Sequence, residues 1–464
     1  MDVVQSHCPI HVIAMLPFFW GKDANVAGTR YDVYESESIL DEGHRSPQQG
    51  WTAKIGFSRR TPVKFLSGLE PGLLFPQIGI FNASSECTRS PQIHLHLSES
   101  YFETHFILPL DPNTLSSAIK MRHTAAISSM SLGRAWLHDL PHKLDQAKRY
   151  GLKGIELFYE DLEYVAKDFP GETKDSSLIA ASRHVRTLCD QRGLEIICLQ
   201  PFMHYEGLRD RAHHQQRVAE MKLWLKLANI LGTQLILIPS SFLPEDEITD
   251  DLDVIVADLR EVAELGLAES PPIRFAYEAL CWGTYINTWE QSWDIVTKVE
   301  MPNFGICIDT FNIAGRVYAD PASTSGTTQN ADVDSMMSTQ RLRNTLDVRK
   351  VFLVQLVDAA RLKTPMGPGH EEYNPSQKAR MSWSRGHRLF YGEQQLGGYL
   401  PVLDILKAVL DLGYEGWISA ELFNNLMSNP APEVPQTLAK RAAISWQKLL
   451  KDLGARSPQA ETRL

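Results

Sequence analysis

From about residue 122 onward the chain alternates between two periodicities. Short runs that are apolar on both faces, bounded by Gly, Pro or acidic residues, are separated by longer stretches with an apolar residue every three or four positions. The runs are AAISSMS (125–131), GIELFYE (154–160), EIICLQP (195–201), QLILIP (234–239), RFAYEAL (274–280), NFGICID (303–309), VFLVQLV (351–357) and WISAELF (417–423). Helical spacing fills the intervals, as in SSLIAASRHVRTLCDQRG (176–193), RVAEMKLWLKLANILG (217–232), DLDVIVADLREVAELG (251–266) and TLAKRAAISWQKLLKDLG (437–454). Several of these stretches end in Gly, the residue that closes helices most readily. Strands that are apolar on both sides, each followed by a helix, are the pattern of a parallel sheet. Eight such units predict an α/β fold of the closed (β/α)8 barrel type over residues 123–456, with an open doubly wound sheet as the alternative.

Residues 1–122 have a different texture. Gly, Pro and Ser are scattered, strand-like pieces such as IHLHLS (93–98) are isolated, and no helical period is sustained. The segment reads as a weakly ordered N-terminal extension without a catalytic part, a lid or a subunit contact being the alternatives. The tail SPQAETRL (457–464) reads as disordered.

Composition narrows the function classes. The 464 residues are 43% hydrophobic, enough for a large core, and 46 Lys+Arg against 56 Asp+Glu give a net charge of −10. No long basic run is present, which argues against nucleic acid or an anionic membrane as partner and for a small molecule. Association into a homo-oligomer stays open. The apolar HVIAMLPFFW (11–20) is too short for a membrane span and has no basic flank, so neither a signal peptide nor a transmembrane helix is expected. The cysteines at 8, 87, 189, 198, 281 and 307 contain no CxxC pair and lie mostly in apolar runs, which fits buried thiols in the cytoplasm.

A barrel concentrates its chemistry at the C-terminal ends of the strands. There the fifth to eighth runs carry Glu278, Asp309, Gln355 and Glu421. Closed into a barrel, four adjacent strands would bring three carboxylates and one carboxamide around one point. Oxygen donors of this kind suit a hard divalent ion, Mg2+ or Mn2+ first, Co2+ or Zn2+ as alternatives. A lone acid at a strand end more often caps a helix or pairs with a base; four in register favour the metal. GEQQLGG (392–398) is not a phosphate cradle and no GxGxxG follows a strand, so no nucleotide cofactor is expected.

At these residues the chain resembles the fungal 3-dehydroshikimate dehydratases of quinate catabolism, in the xylose-isomerase-like superfamily of TIM barrels. The stretches that carry the resemblance, over about residues 125–454, include ISSMSLGR (127–134), LQPFMHYEGL (199–208), YEALCWGTYINTWEQSWDIV (277–296), PNFGICIDTFNIAGRVYADP (302–321), RLFYGEQQLGGYLPV (388–402) and WISAELFN (417–424). The resemblance implies a divalent cation on Glu278, Asp309, Gln355 and Glu421, and conversion of 3-dehydroshikimate to protocatechuate with loss of water. Such a lyase must remove a ring proton beside a ketone, and His204, just past the third run, is the first candidate base. Related bacterial barrels carry His three residues after the sixth-strand Asp; here that position is Asn312, whose amide cannot take the proton and is expected to bond substrate hydroxyls. Glu206 and Glu160 are candidates for orienting His204 or binding hydroxyls. Arg316 and Arg134, with Arg361 and Lys363 behind them, are candidates for the substrate carboxylate. Trp282 is placed to wall the pocket, while Trp289 and Trp293, four apart, read as core anchors.

Two other functions fit the same pattern. A sugar or inositol-type isomerase, epimerase or dehydratase would use the same four donors. A non-catalytic binding protein on a decayed barrel would explain Asn312. The chain ends soon after its last helical stretch, which leaves no expected room for an additional dioxygenase-like domain. No run ends in Lys, so a Schiff-base mechanism has no support.

Overall fold

A computed structural model describes residues 123–454 and, ahead of them, four short backbone strands. Those four pair antiparallel in two couples, Pro9–Ile13 with Ile80–Ser84 and Asp32–Glu35 with Arg59–Pro62. IHLHLS (93–98), the order of the remaining N-terminal residues, Cys8, Cys87 and the tail 457–464 lie outside the described residues.

Residues 123–454 form a closed parallel barrel. Its strands are β1 (His123–Ser128), β2 (Gly154–Phe158), β3 (Glu195–Gln200), β4 (Leu235–Pro239), β5 (Arg274–Glu278), β6 (Phe304–Asp309), β7 (Val351–Gln355) and β8 (Gly416–Ala420). Each pairs with its sequence neighbours, and β8 returns to β1 through Trp417 opposite Thr124. Each of the eight runs read from the sequence supplies one strand, shorter than the run by a residue or two.

The helices are α1 (Leu140–Arg149), α2 (Tyr159–Ala166), α3 (Lys174–Asp190), α4 (Arg211–Leu231), α5 (Leu252–Leu267), α6 (Trp289–Val299), α7 (Thr310–Val317), α8 (Ala331–Thr345), α9 (Ala379–His387), α10 (Val402–Asp411) and α11 (Val434–Asp452). Local chemistry starts and stops them. Asp139, Asp210 and Asp251 cap their helices through side-chain oxygens, and Thr173 and Thr288 close capping boxes. Gly232 ends α4 in the left-handed conformation at φ 76°. Gly266 instead lies inside α5, and it must be glycine because a Cβ there would meet Phe275 Cε2 at 2.5 Å.

Three helices lie where the sequence reading had none. α7 follows β6 with no loop, Thr310 to Gly315 are all buried, and its eight residues are too few for a helical period to stand out from the strand before it. α2 has only eight residues, and α9 ends beside the barrel mouth.

The core has two parts. A large shell between strands and helices runs from Ala125 to Leu449, and a smaller group of Ala126, Ile197, Cys198, Leu235, Leu237, Ala276, Cys307 and Leu353 is packed by Trp417. At Gly154 a Cβ would lie 2.8 Å from the Trp417 ring and 2.9 Å from Ala126 and Ile197, so only Gly fits there. This packed interior supports the polar residues at the strands' far ends. No described helix is long and apolar enough to cross a membrane.

Candidate metal centre

Strand order decides which polar residues meet. β5 pairs with β6, β6 with β7 and β7 with β8, and Asp309 stands in register with Gln355. One carboxylate oxygen each of Glu278, Asp309 and Glu421 falls within a group no wider than 4.8 Å, and all three residues are buried. Gln355 is fully buried beside them, its Oε1 3.6 Å from Cys307 Sγ.

The two oxygens of Asp309 have separate tasks. Oδ1 accepts the Phe311 N–H at 2.7 Å and caps α7. Oδ2 accepts from Asn312 Nδ2 at 2.8 Å and from Arg388 Nη1 at 2.9 Å. The capping role and the place in the acidic group coexist in one side chain.

Asn312 does not reach outward. Its Nδ2 donates to Glu278 Oε1 and Asp309 Oδ2, both at 2.8 Å, while its Oδ1 accepts the Cys281 N–H at 3.0 Å. The amide therefore ties two acidic side chains together and has little capacity left for a substrate hydroxyl.

Arg388 is a site residue that sequence reasoning missed. Only 1% exposed, it donates through Nη1 to Asp309 Oδ2 and Glu421 Oε2 (3.0 Å) and through Nε to Ser384 Oγ, with its guanidinium over the rings of Phe311 and Phe423. A two-residue pairing of Asp358–Ala359 with Arg388–Leu389 holds it in place. The available signal was the run RLFYGEQQLGGYLPV, whose first residue it is. Glu156 on β2 and Gln200 at the end of β3 were missed as well: Glu156 Oε2 accepts from both Gln200 Nε2 (3.0 Å) and Gln355 Nε2 (2.8 Å).

The electrostatics of the group are lopsided. Burial, then the proximity of Glu421 and Asp309, pushes the Glu278 carboxyl well above its usual range. Burial likewise raises Glu421, with Glu156 and Asp309 adding to it, and raises Glu156. Four buried carboxylates face one buried guanidinium, and the acidic excess, set in an oxygen donor set, fits a hard divalent cation.

The other predicted residues have partners outside this group. His204 follows β3 in the left-handed conformation at φ 57°, its Nδ1 3.3 Å from Ser241 Oγ and its ring edge-on to Phe242. Burial, aided by Arg217, lowers its pKa to about 4, so the imidazole is neutral at physiological pH. Glu206 does not touch His204 directly. It accepts from the Ser241 N–H at 2.7 Å and from the Tyr277 hydroxyl at 3.1 Å, and burial raises its pKa to about 7. Ser241 thus links Glu206 to His204. Trp282 is buried near Phe242 with an unbonded indole N–H.

Glu160 opens α2, where burial raises its carboxyl and Arg134 opposes that shift. Arg134 donates to Met130 Sδ and lies over the Trp136 ring. Arg316 lies on the exposed side of α7, within electrostatic reach of Arg380 and Lys378, and Arg361 stacks on Tyr399. None of these four reaches the acidic group through a direct contact. Trp289 donates to Ser338 Oγ from the core, and Trp293 packs at its edge.

A second acidic group, His214, Asp258 and Glu261, lies on α4 and α5. There Arg211 already binds both oxygens of Asp258, and His214 bridges the Tyr205 carbonyl and Glu261. That group ties the β3 loop to the outer helices.

Comparison with known proteins adds to this geometry. Residues 144–448 match the family described as xylose isomerase-like TIM barrel. The chain is 55% identical over 336 residues, 71% of its length and 94% of the relative's, to a 3-dehydroshikimate dehydratase of Neurospora crassa. A Pseudomonas aeruginosa protein of the same name is 31% identical over 62% of this chain, which spans only 36% of that longer protein. Among solved structures, a xylose isomerase-like TIM barrel/4-hydroxyphenylpyruvate dioxygenase fusion protein matches with a TM-score of 0.53 and 26% identity, over 73% of this chain and 45% of the other.

Proposed function

The chain belongs to the xylose isomerase-like TIM barrels and, within them, to the 3-dehydroshikimate dehydratases, and from that premise we propose how its residues divide the work. The reaction is a hydro-lyase reaction: 3-dehydroshikimate loses a ring proton and a hydroxyl, released together as water, and gives protocatechuate. Glu278, Asp309, Gln355 and Glu421 would hold a divalent cation, Mg2+ or Mn2+. When bound, that ion supplies Lewis acidity toward the substrate ketone and so acidifies the neighbouring ring proton. The observation that carries this reading is the meeting of three buried carboxylates from β5, β6 and the end of β8 within 4.8 Å.

The protein's own groups supply the rest. His204 is the proposed base: its imidazole is neutral at physiological pH, its Nδ1 is engaged by Ser241, and its Nε2 is left to receive the proton. Glu206, bound to Ser241 and Tyr277, orients the His204 loop. Asn312 holds Glu278 and Asp309 in place. Trp282 walls the pocket and offers its indole N–H to a substrate oxygen. Arg316 and Arg134 remain proposed partners of the substrate carboxylate, Glu160 a partner of its hydroxyls, and Arg388 joins them as the cation seated at the acidic group.

The product is a catechol, and an enzyme that forms it from 3-dehydroshikimate would serve quinate and shikimate breakdown. The four described cysteines are free and buried, in keeping with a cytoplasmic home. The test is ultraviolet absorbance with 3-dehydroshikimate, with Mn2+ supplied and then removed by EDTA, for wild type and Glu278→Ala. Protocatechuate formed only with metal and the intact glutamate supports the assignment; no product under any metal overturns it and turns attention to sugar epimerisation.

A further inference from the structure

Three of the four proposed donors are carboxylates, whose two ends are alike. The fourth, Gln355, carries oxygen at one end of its amide and NH2 at the other, and only the oxygen serves a cation. Two orientations related by a half-turn of the amide are open to it, so the surroundings must select one.

They do so from both ends. Gln355 Nε2 lies 2.8 Å from Glu156 Oε2, a side chain on β2 that is fully buried. That oxygen is an acceptor whether the carboxyl is ionised or carries its proton on Oε1, so a turned amide would set oxygen against oxygen. At the other end Cys307 Sγ stands 3.6 Å from Oε1, a weak donor that again prefers the oxygen. Gln200 Nε2, at 3.0 Å from the same Oε2, fixes Glu156 from the β3 side. Glu156 Oε1 has no partner in this arrangement.

We propose that Glu156 is a positioning residue that fixes the carboxamide of Gln355 with its oxygen free for the cation. Gln200 acts one step further back by holding Glu156. The inference rests on the cation site proposed above, and it gives a task to the buried strand-two carboxylate that contributes no ligand of its own. Removing such a support weakens metal binding by about 10–100-fold without removing a ligand.

The test is calorimetric titration of EDTA-stripped full-length protein with Mn2+, with circular dichroism to verify the fold. Glu156→Gln keeps the shape but offers Gln355 a donor as well as an acceptor, so the amide can turn. Its Mn2+ affinity is expected to fall about 10–100-fold. The exchange variant, Glu156→Gln with Gln355→Glu, keeps one carboxylate and one amide. The carboxylate at position 355 then has oxygen at both ends and the amide at 156 can donate to it, so binding is expected to recover most of the roughly 10–100-fold lost in the single variant. Unchanged affinity in the single variant, or an exchange variant that binds no better than the single one, overturns the inference. If the single variant fails to fold, the exchange variant decides alone. Wild type that takes up no Mn2+ removes the cation reading itself, and the inference with it, an outcome distinct from wild type that binds and a single variant that binds equally well.

Discussion

Nη1 of Arg388 donates to Oδ2 of Asp309 across 2.9 Å, between residues 79 apart in the chain. The same nitrogen reaches Glu421 Oε2 at 3.0 Å, so one guanidinium compensates two buried carboxylates. Arg388→Met leaves both without a cation, and breaking a buried pair from one side costs about 3–5 kcal/mol. Denaturant unfolding of metal-stripped protein is expected to show a loss of that order; a loss below about 1 kcal/mol, the range of a solvent-exposed pair, contradicts this role.

Asn312 gives both of its amide protons to acidic side chains of the group. Asn312→Ala is therefore expected to weaken Mn2+ binding about 10–100-fold while leaving KM for 3-dehydroshikimate, measured at saturating metal, near the wild-type value. A raised KM with unchanged metal affinity would show instead that the amide faces the substrate.

His204 is held neutral by burial, its pKa lowered to about 4. The acid limb of kcat/KM is thus expected near pH 4 rather than near the ordinary histidine value of about 6.5. His204→Gln should lower kcat by about 10²–10⁴-fold with Mn2+ affinity unchanged. A variant that keeps full turnover would move the base elsewhere.

Glu206 is an acid whose burial raises its pKa from 4.5 to about 7. Below pH 4.5 both folded and unfolded states carry the proton and the group contributes nothing to pH dependence. Between 4.5 and about 7 the unfolded state loses its proton first, so stability falls as pH rises, by an amount on the order of 3 kcal/mol. Glu206→Gln lacks this dependence while its oxygen still accepts from Ser241. Unfolding at pH 5 and pH 8 should show the variant gaining on wild type at the higher pH; equal pH slopes would refute it.

Much of the barrel was legible in the chain. Strands buried on both faces leave continuous apolar runs, and helices that bury one stripe leave a 3.6-residue period, so both patterns survive in one dimension. Glu278, Asp309, Gln355 and Glu421 were legible as well: each is a polar residue close to the C-terminal end of an otherwise apolar run, and a barrel converts that position into a shared place. α7 was not legible, because eight residues that follow β6 without a loop are too few for a helical period to emerge. Glu156 was hidden inside GIELFYE, where the polar Glu160 at the run's end drew the assignment.

What the sequence by itself determined is the order and period of eight strand-helix units and the residue types at the strand ends, since these follow from local burial. Only the tertiary structure decided the pairings among polar side chains. Arg388 with Asp309, Glu156 with Gln355 and Glu206 with Ser241 all join residues far apart in the chain. Closing the barrel brings them within 3 Å of each other, and burial, by excluding water, makes each depend on the partner it finds there.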